Sequence, residues 1–232
     1  MKWYTADEHY GHQNILKFCK RPFADIIEIR EKLIARHNER VAKGDLTHHA
    51  GDMFWRTLSV DEAIDILSRL NGQHILVYGN HDELVEGNER LRSKFVKVVE
   101  RMYLNKTEFA PKIVIDHYAG RVWRNSHHGS IQLYGHSHAA LPEADTLSWD
   151  IGVDGHDYYP WSELEIVEKA KAKKAVGAQD PMSAQIAAQP WNKAEGAQVL
   201  YPMPQVPQAV WDSLQEHQTT IDEITHSGGC VE

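Results

Sequence analysis

The stretch HILVYGNHD, residues 74–82, decides the fold class. A short apolar run stopped by a glycine predicts a buried strand over His74–Tyr78. Gly79 permits a sharp turn, and Asn80, His81 and Asp82 follow it at once. The same order recurs along the chain. Lys2–Ala6 predicts a strand running into Asp7-Glu8-His9, and Leu46–Ala50 one running into Gly51-Asp52. Ile113–His117 ends in Asp116-His117, and Ile131–Tyr134 runs into Gly135-His136-Ser137-His138. Val96–Leu104 and Leu147–Asp150 complete the set of expected strands.

Helical patterns separate the early strands. Asp25 is placed to cap a helix with Glu28 as its capping-box partner, and Ile26, Ile29, Leu33, Ile34 and Val41 line one side. Ser59 with Glu62 opens a second helix carrying Ala63, Ile64, Leu67 and Leu70, and Asn71-Gly72 turns the chain. Pro160–Lys174 reads as a last helix. Alternating strands and helices followed by several strands predict an α/β protein with mixed sheets.

Composition narrows the function classes. With 42% hydrophobic residues in 232, the chain can bury a sizeable core. No run approaches the ~18 apolar residues of a membrane span, and Asp7 and Glu8 interrupt the N-terminus where a signal peptide needs an apolar stretch. Two cysteines, Cys19 and Cys230, cannot build a disulfide framework; reduced thiols and a cytoplasmic location are expected. A net charge of −8 disfavours broad adhesion to nucleic acid or to anionic lipid. Histidine is the anomaly, with 15 against 9 Tyr and 5 Phe, and points to metal or proton chemistry.

The charge is uneven. From Gly177 onward seven acids face one base, Lys193, so that this segment carries −6 and residues 1–176 carry −2. The expected division is a catalytic-size domain over 1–176, a Gln/Pro/Ala-rich linker over 177–205 and an acidic tail over 206–232. Within the tail Val210, Leu214, Ile221 and Ile224 suit a short amphipathic helix, able to dock on the body or on a protein partner. The linker composition predicts a partly disordered segment.

Ligands of α/β proteins collect beyond the carboxyl ends of strands, where loops converge on a rigid base. Five strand ends would supply Asp7, His9, Asp52, Asn80, His117, His136 and His138 to one pocket. Oxygen and imidazole donors in this ratio suit Mn, Fe, Zn or Ni, and no nearby cysteine suggests a structural thiolate zinc site. Any one D-x-H pair arises readily by chance; the order and the preceding Gly51, Gly79 and Gly135 make the series informative.

That series, D-x-H, G-D, G-N-H-D, a lone strand-end His and G-H-x-H over residues 1 to about 160, resembles the calcineurin-like metallophosphoesterases. GHQNILKFCKRPF is similar to a compact bacterial and phage branch of that family. The resemblance implies a four-layer αββα sandwich of two mixed sheets with two divalent metal ions at the strand ends, Mn first among the candidates. It implies Asp7, His9, Asp52 and His138 for the first ion, and Asp52, Asn80, His117 and His136 for the second, with Asp52 bridging. It implies hydrolysis of a phosphodiester or small nucleotide-like phosphate by a metal-bridging hydroxide, since paired cations lower the pKa of a shared water to about 7. A nuclease of the same chemistry, or a non-catalytic module that keeps the fold, are the other readings. His81 is expected beside the substrate as hydrogen-bond or proton donor, with Asn80 near it and Asp82 as its orienter. Arg21 and Arg56 follow the first and second motifs closely enough to be candidates for a substrate phosphate, or for salt bridges to helix carboxylates. Asp116 reads as a partner of the metal-bound His117 or as an edge residue. His48, His49, His127 and His128 match no ligand position and are expected at the surface or cleft rim. Trp3, Trp55, Trp123, Trp149 and Trp161 are expected to pack in the core or at the rim.

Overall fold

In the computed structural model, which describes residues 1–176, the first strand β1 (Lys2–Thr5) lies between two neighbours. It pairs in parallel with β2 (Leu46–His49) and antiparallel with β9 (Trp161–Ser162). β2 continues in parallel to β3 (Gln73–Val77) and that to β4 (Lys97–Val99), giving the order β4-β3-β2-β1-β9. A second sheet has the order β5-β6-β7-β8, formed by Met102–Leu104, Ile113–Ile115, Ile131–Tyr134 and Ser148–Asp150. There β5 is antiparallel and the other pairs are parallel, so both sheets are mixed. The linker and helix expected over 177–205 and 206–232 lie outside the described residues.

The two sheets meet through Tyr4, Ala6, Ala50, Ile75 and Val77 on one side and Ile113, Ile115, Ile131, Leu133 and Trp149 on the other. Burying each large apolar side chain here contributes roughly 1.5–3 kcal/mol. On the other face of the first sheet, α2 (Ile26–Arg40) and α3 (Val60–Arg69) bring Ile29, Leu33, Ile34, Ala63, Ile66 and Leu67 against Leu76, Met53 and Phe54. α6 (Glu163–Ala175) runs beside β9 and β1 and adds Ile166 and Ala170 to the inter-sheet core. Three short helical turns, α1 (Ile15–Phe18), α4 (Glu83–Glu86) and α5 (Glu89–Arg92), lie in the loops. The α/β architecture expected from the strand–helix alternation is therefore the one observed.

Local chemistry accounts for the helix starts. Asp25 accepts hydrogen bonds from Ile27 N and Glu28 N at 2.8 Å each, while Glu28 reaches Ala24 N one residue further back. Ser59 and Glu62 form the reciprocal capping box, a feature worth about 1 kcal/mol. Ser162 and Glu165 form another that the sequence reading placed inside a longer helix. The two residues before α6, Trp161 and the N-cap Ser162, form β9.

One expected strand is two. Val96–Leu104 divides around Glu100 and Arg101 into β4 of the first sheet and β5 of the second. No glycine or proline marks the division, and both halves carry strand-like residues, so no local signal separates them. What separates them is pairing: β4 bonds to β3 and β5 to β6.

Candidate metal centre

The loops after β1, β2, β3, β6 and β7 meet at one end of the two sheets. Backbone bonds zip the first two together: Asp7 N–H donates to Gly51 O and His9 N–H to Asp52 O, both at 3.0 Å, and Tyr10 N–H to Met53 O at 2.9 Å. Asp82 ties in the third. Its carboxylate accepts from Asp52 N and Gly79 N at 2.8 Å and from Met53 N at 2.9 Å. Asp52 in turn accepts from His81 N at 2.9 Å. Two glycines permit this crowding. A Cβ on Gly51 would stand 2.4 Å from His117 Nδ1, and one on Gly79 2.2 Å from Asp52 Oδ1.

The crowding also forces backbone strain. Asp7, His9, Asp52, His136 and His138 all have positive φ, between 47° and 68°. Left-handed non-glycine residues cost of order 1–3 kcal/mol each and persist where surrounding structure overrides the preference. That five of the seven expected ligands share this conformation marks the loops as built for the side-chain positions they hold.

Those side chains form two groups. Donor atoms of Asp7, His9 and His138 lie within 4.8 Å of one another, and so do those of Asp52, His117 and His136. Asp52 stands between the groups, its Oδ2 3.4 Å from His9 Nε2 and 3.5 Å from His117 Nε2. Asn80 Oδ1 is 3.0 Å from His117 Nε2 and accepts from the Tyr118 hydroxyl at 3.3 Å.

The hydrogen bonding of these groups fits cations. His117 Nδ1 is 2.7 Å from Ala50 O, which as an acceptor requires the ring proton there. Nε2 of the neutral ring then meets Asn80 Oδ1 and Asp52 Oδ2, three acceptors with no donor among them. A proton answers the same need: burial opposes a charged ring, yet the Asp52 carboxylate outweighs it and raises the His117 pKa. In the other group Asp7 Oδ2 and both ring nitrogens of His9 are buried without a hydrogen-bond partner. Burial raises the Asp7 carboxyl to about 8 against the pull of His138 and His117, and burial lowers His9 to about 3. Asp7 Oδ1 accepts from His136 N at 2.9 Å, so one oxygen of a buried carboxylate is left beside neutral imidazole nitrogens, the donor set of a divalent ion.

His138 has an added partner. Its Nδ1 is 2.7 Å from Asp154 Oδ2, a carboxylate placed as those that orient metal-bound histidines. Burial opposes its charge, but the Asp154 bond raises it to about 10. Asp154 carries no mark in the sequence beyond its position after Gly152.

Several expectations are corrected. Arg21 is buried, and its Nε and Nη2 bind Asp154 at 2.7 Å each while Nη2 and Nη1 reach Asp7 O and Glu8 O at 2.7 and 3.0 Å. With its guanidinium committed to these groups it braces the Asp7 loop rather than facing a phosphate. Asp82 does not orient the His81 ring, since three backbone N–H groups occupy it. Asp116 pairs with Arg101, and the His117 ring is oriented by Ala50 instead. His48 and His49 are buried rather than at the rim: His48 stacks on Tyr4, and His49 links Glu8 at 2.6 Å to His74 at 3.1 Å. Cys19, expected to be remote, has its sulfur within 4.8 Å of donor atoms of His138 and Asp154.

His127, His128 and the tryptophans lie where expected. His127 and His128 are exposed, and Trp3, Trp123 and Trp149 are buried. The half-buried His81 ring lies 4.7 Å from Trp55, whose ring stacks flat on His12 at 3.6 Å. Arg56 is exposed above Trp55, 5.4 Å from its ring, with no ion pair among the described residues. The His12–Trp55 wall and Tyr118 had no signature in the sequence, since stacking and rim position arise only after folding.

A family model described as calcineurin-like phosphoesterase matches residues 3–169, the segment containing every donor named above and all the strands but the first residue of β1. The chain belongs to this family. An uncharacterized protein of Methanocaldococcus jannaschii is 35% identical over 81 residues, 35% of this chain. The match spans 46% of that relative's own length. A crystal structure of a protein of unknown function from Aquifex aeolicus shares the fold, with a TM-score of 0.57 at 20% identity over 73% of this chain and 98% of the other. None of the described helices of this calcineurin-like phosphoesterase is long and apolar enough to cross a membrane.

Proposed function

We propose that this chain is a dinuclear metal-dependent phosphodiesterase acting on small, nucleotide-like phosphodiesters. The observation that carries the reading is Asp52 Oδ2, held between His9 Nε2 and His117 Nε2 at 3.4 and 3.5 Å, at the junction of two three-residue donor groups. A shared carboxylate is what two close cations need to offset their repulsion. Asp7, His9, Asp52 and His138 hold the first ion, and Asp52, Asn80, His117 and His136 the second, with Mn²⁺ the first metal to test and Fe, Zn and Ni next. Bound there, the ions supply Lewis-acid stabilisation of the phosphoryl oxygens and a hydroxide source near neutral pH.

The protein's own residues do the rest. His81 donates a hydrogen bond to the phosphate and delivers its proton to the leaving oxygen as the P–O ester bond breaks. Its backbone is pinned by Asp52 while its ring stays half exposed beside Trp55, which limits the directions it can take. Arg56, exposed and without an ion pair among the described residues, attracts the anionic substrate. Arg21 and Asp154 keep the Asp7 loop and the His138 ring in place.

The deciding experiment combines metal analysis of Mn²⁺-saturated protein with turnover of bis(4-nitrophenyl) phosphate and 4-nitrophenyl phosphate. Two ions per chain and faster cleavage of the diester are expected. One ion at saturation, or preference for the monoester, sinks the proposal. Residues 1–176 are proposed to be sufficient, with 177–205 a linker and 206–232 a separate tail. A chain ending at Val176 should keep both ions and diester turnover; a folded, loaded but inactive product would place the tail in the site.

A further inference from the structure

Beside the second donor group the protein has a cavity of about 210 Å³ between the outer side of the second sheet and the loop that follows β6. Tyr118 belongs to both places. Its ring lies 4.9 Å from His117 and 4.8 Å from His136, and it also lines the cavity. Arg101, Tyr103, Asp116, Trp123 and Arg124 also line it.

The charge there runs against the rest of the molecule. Residues 97–130 carry six bases against three acids, whereas residues 1–176 as a whole are net negative. Arg101 is half-exposed and held by Asp116. Arg124 is exposed, lies 5.0 Å over the Tyr103 ring and makes no ion pair among the described residues. A cation resting on an aromatic face is preorganised, with its N–H edges free for an oxyanion. The volume is below the ~300 Å³ of pockets that enclose a whole drug-sized ligand, so a fragment of a substrate is what fits.

We propose that this cavity is a subsite for a second anionic group, a phosphate, carried by the substrate away from the phosphorus that reacts. This rests on the phosphodiesterase reading and names its substrate class: phosphodiesters of nucleotides that bear a further phosphate. The metal-centre end of the cavity receives the connecting sugar past Tyr118, and Arg124 meets the distal phosphate.

Two chromogenic substrates test it, thymidine 5′-(4-nitrophenyl phosphate) and the same compound with a 3′-phosphate. In the wild type the added phosphate should lower KM by about tenfold, the size of one charge-assisted hydrogen bond at a partly exposed site. Arg124→Ala should remove that difference, leaving kcat and the KM of the first compound unchanged, and Arg124→Lys should restore part of it. Calorimetry with thymidine 3′,5′-bisphosphate runs in parallel, and Arg124→Ala should weaken its Kd by about tenfold. Unchanged Kd and KM in Arg124→Ala, or equal changes for both substrates, overturn the subsite. Arg124-dependent binding of the bisphosphate without turnover of either compound keeps the subsite and discards the phosphodiesterase reading.

Discussion

The histidines at the strand ends and three buried ones behind them, His37 on α2 and His48 and His49 on β2, make opposite use of the same ring. His37, His48 and His49 are buried, as His9 and His117 are, yet each has a protein partner. His37 Nε2 is 2.9 Å from Asn71 O, His48 Nδ1 is 3.3 Å from Trp3 O, and His49 lies between Glu8 and His74. At the strand ends His9 has no partner for either nitrogen, and His117 turns its second nitrogen toward two oxygens. Burial alone therefore does not distinguish the two sets. Between these residues the difference is whether the polar atoms are satisfied within the chain, His74 Nε2 on β3 being a further buried nitrogen without a partner, because a buried polar atom left unpaired costs about 1–3 kcal/mol unless something else binds it.

If that contrast is sound, the largest effect follows from Asp52→Asn. It weakens both donor groups at once, and loss of both ions with a fall in diester turnover of at least ~10³-fold is expected, several kcal/mol of charge stabilisation being removed. Retention of two ions would break the comparison, since the central carboxylate would then be dispensable.

His81→Ala sharpens it from the other side. His81 is a strand-end histidine assigned to the substrate, so both ions should remain while turnover falls ~10²–10⁴-fold. The fall should be smallest for nitrophenolate leaving groups, which need little protonation. A variant that loses an ion, or slows equally with good and poor leaving groups, would move His81 into the ligand set.

A smaller effect is expected at Asp154→Asn. It weakens the hydrogen bond that orients His138 and the ion pair with Arg21 without removing a metal donor. Metal affinity should drop by about 10–100-fold with two ions still bound at saturation. Titration with Mn²⁺ followed by equilibrium dialysis reads it; an unchanged affinity would show that Arg21 and the loop alone fix His138.

At the interior set the expected effect falls on stability rather than on metal binding or turnover. Burial, opposed by the Asn71 carbonyl, lowers the His37 pKa from 6.5 to about 4. Its neutral ring is favoured by folding, so the associated stability is complete above pH 6.5 and is lost as pH falls toward 4. That loss amounts to roughly 3 kcal/mol. Urea unfolding of His37→Gln between pH 7 and 4 should show a shallower decline than the wild type, with metal content unchanged at pH 7. An equal slope would mean that other buried groups, such as His48 and His74, carry the acid sensitivity.

From the sequence alone came the strand-end positions of the seven candidate donors, the order of the early strands and helices, and the family. Each rests on short-range pattern: an apolar run of strand length, a glycine, then a donor. The caps at Asp25 and Ser59 are local in the same sense, since the side chain bonds backbone two or three residues away. Tertiary structure alone decided the split of Val96–Leu104, because β4 and β5 are told apart only by the strands they pair with. It also decided what the charged neighbours do. Arg21 meets Asp154 across 133 residues, and Asp82 meets Asp52 across 30. An arginine downstream of a motif that faces the substrate and one bracing that motif from behind read identically along the chain. Which way the guanidinium points depends on a carboxylate that only folding brings beside it.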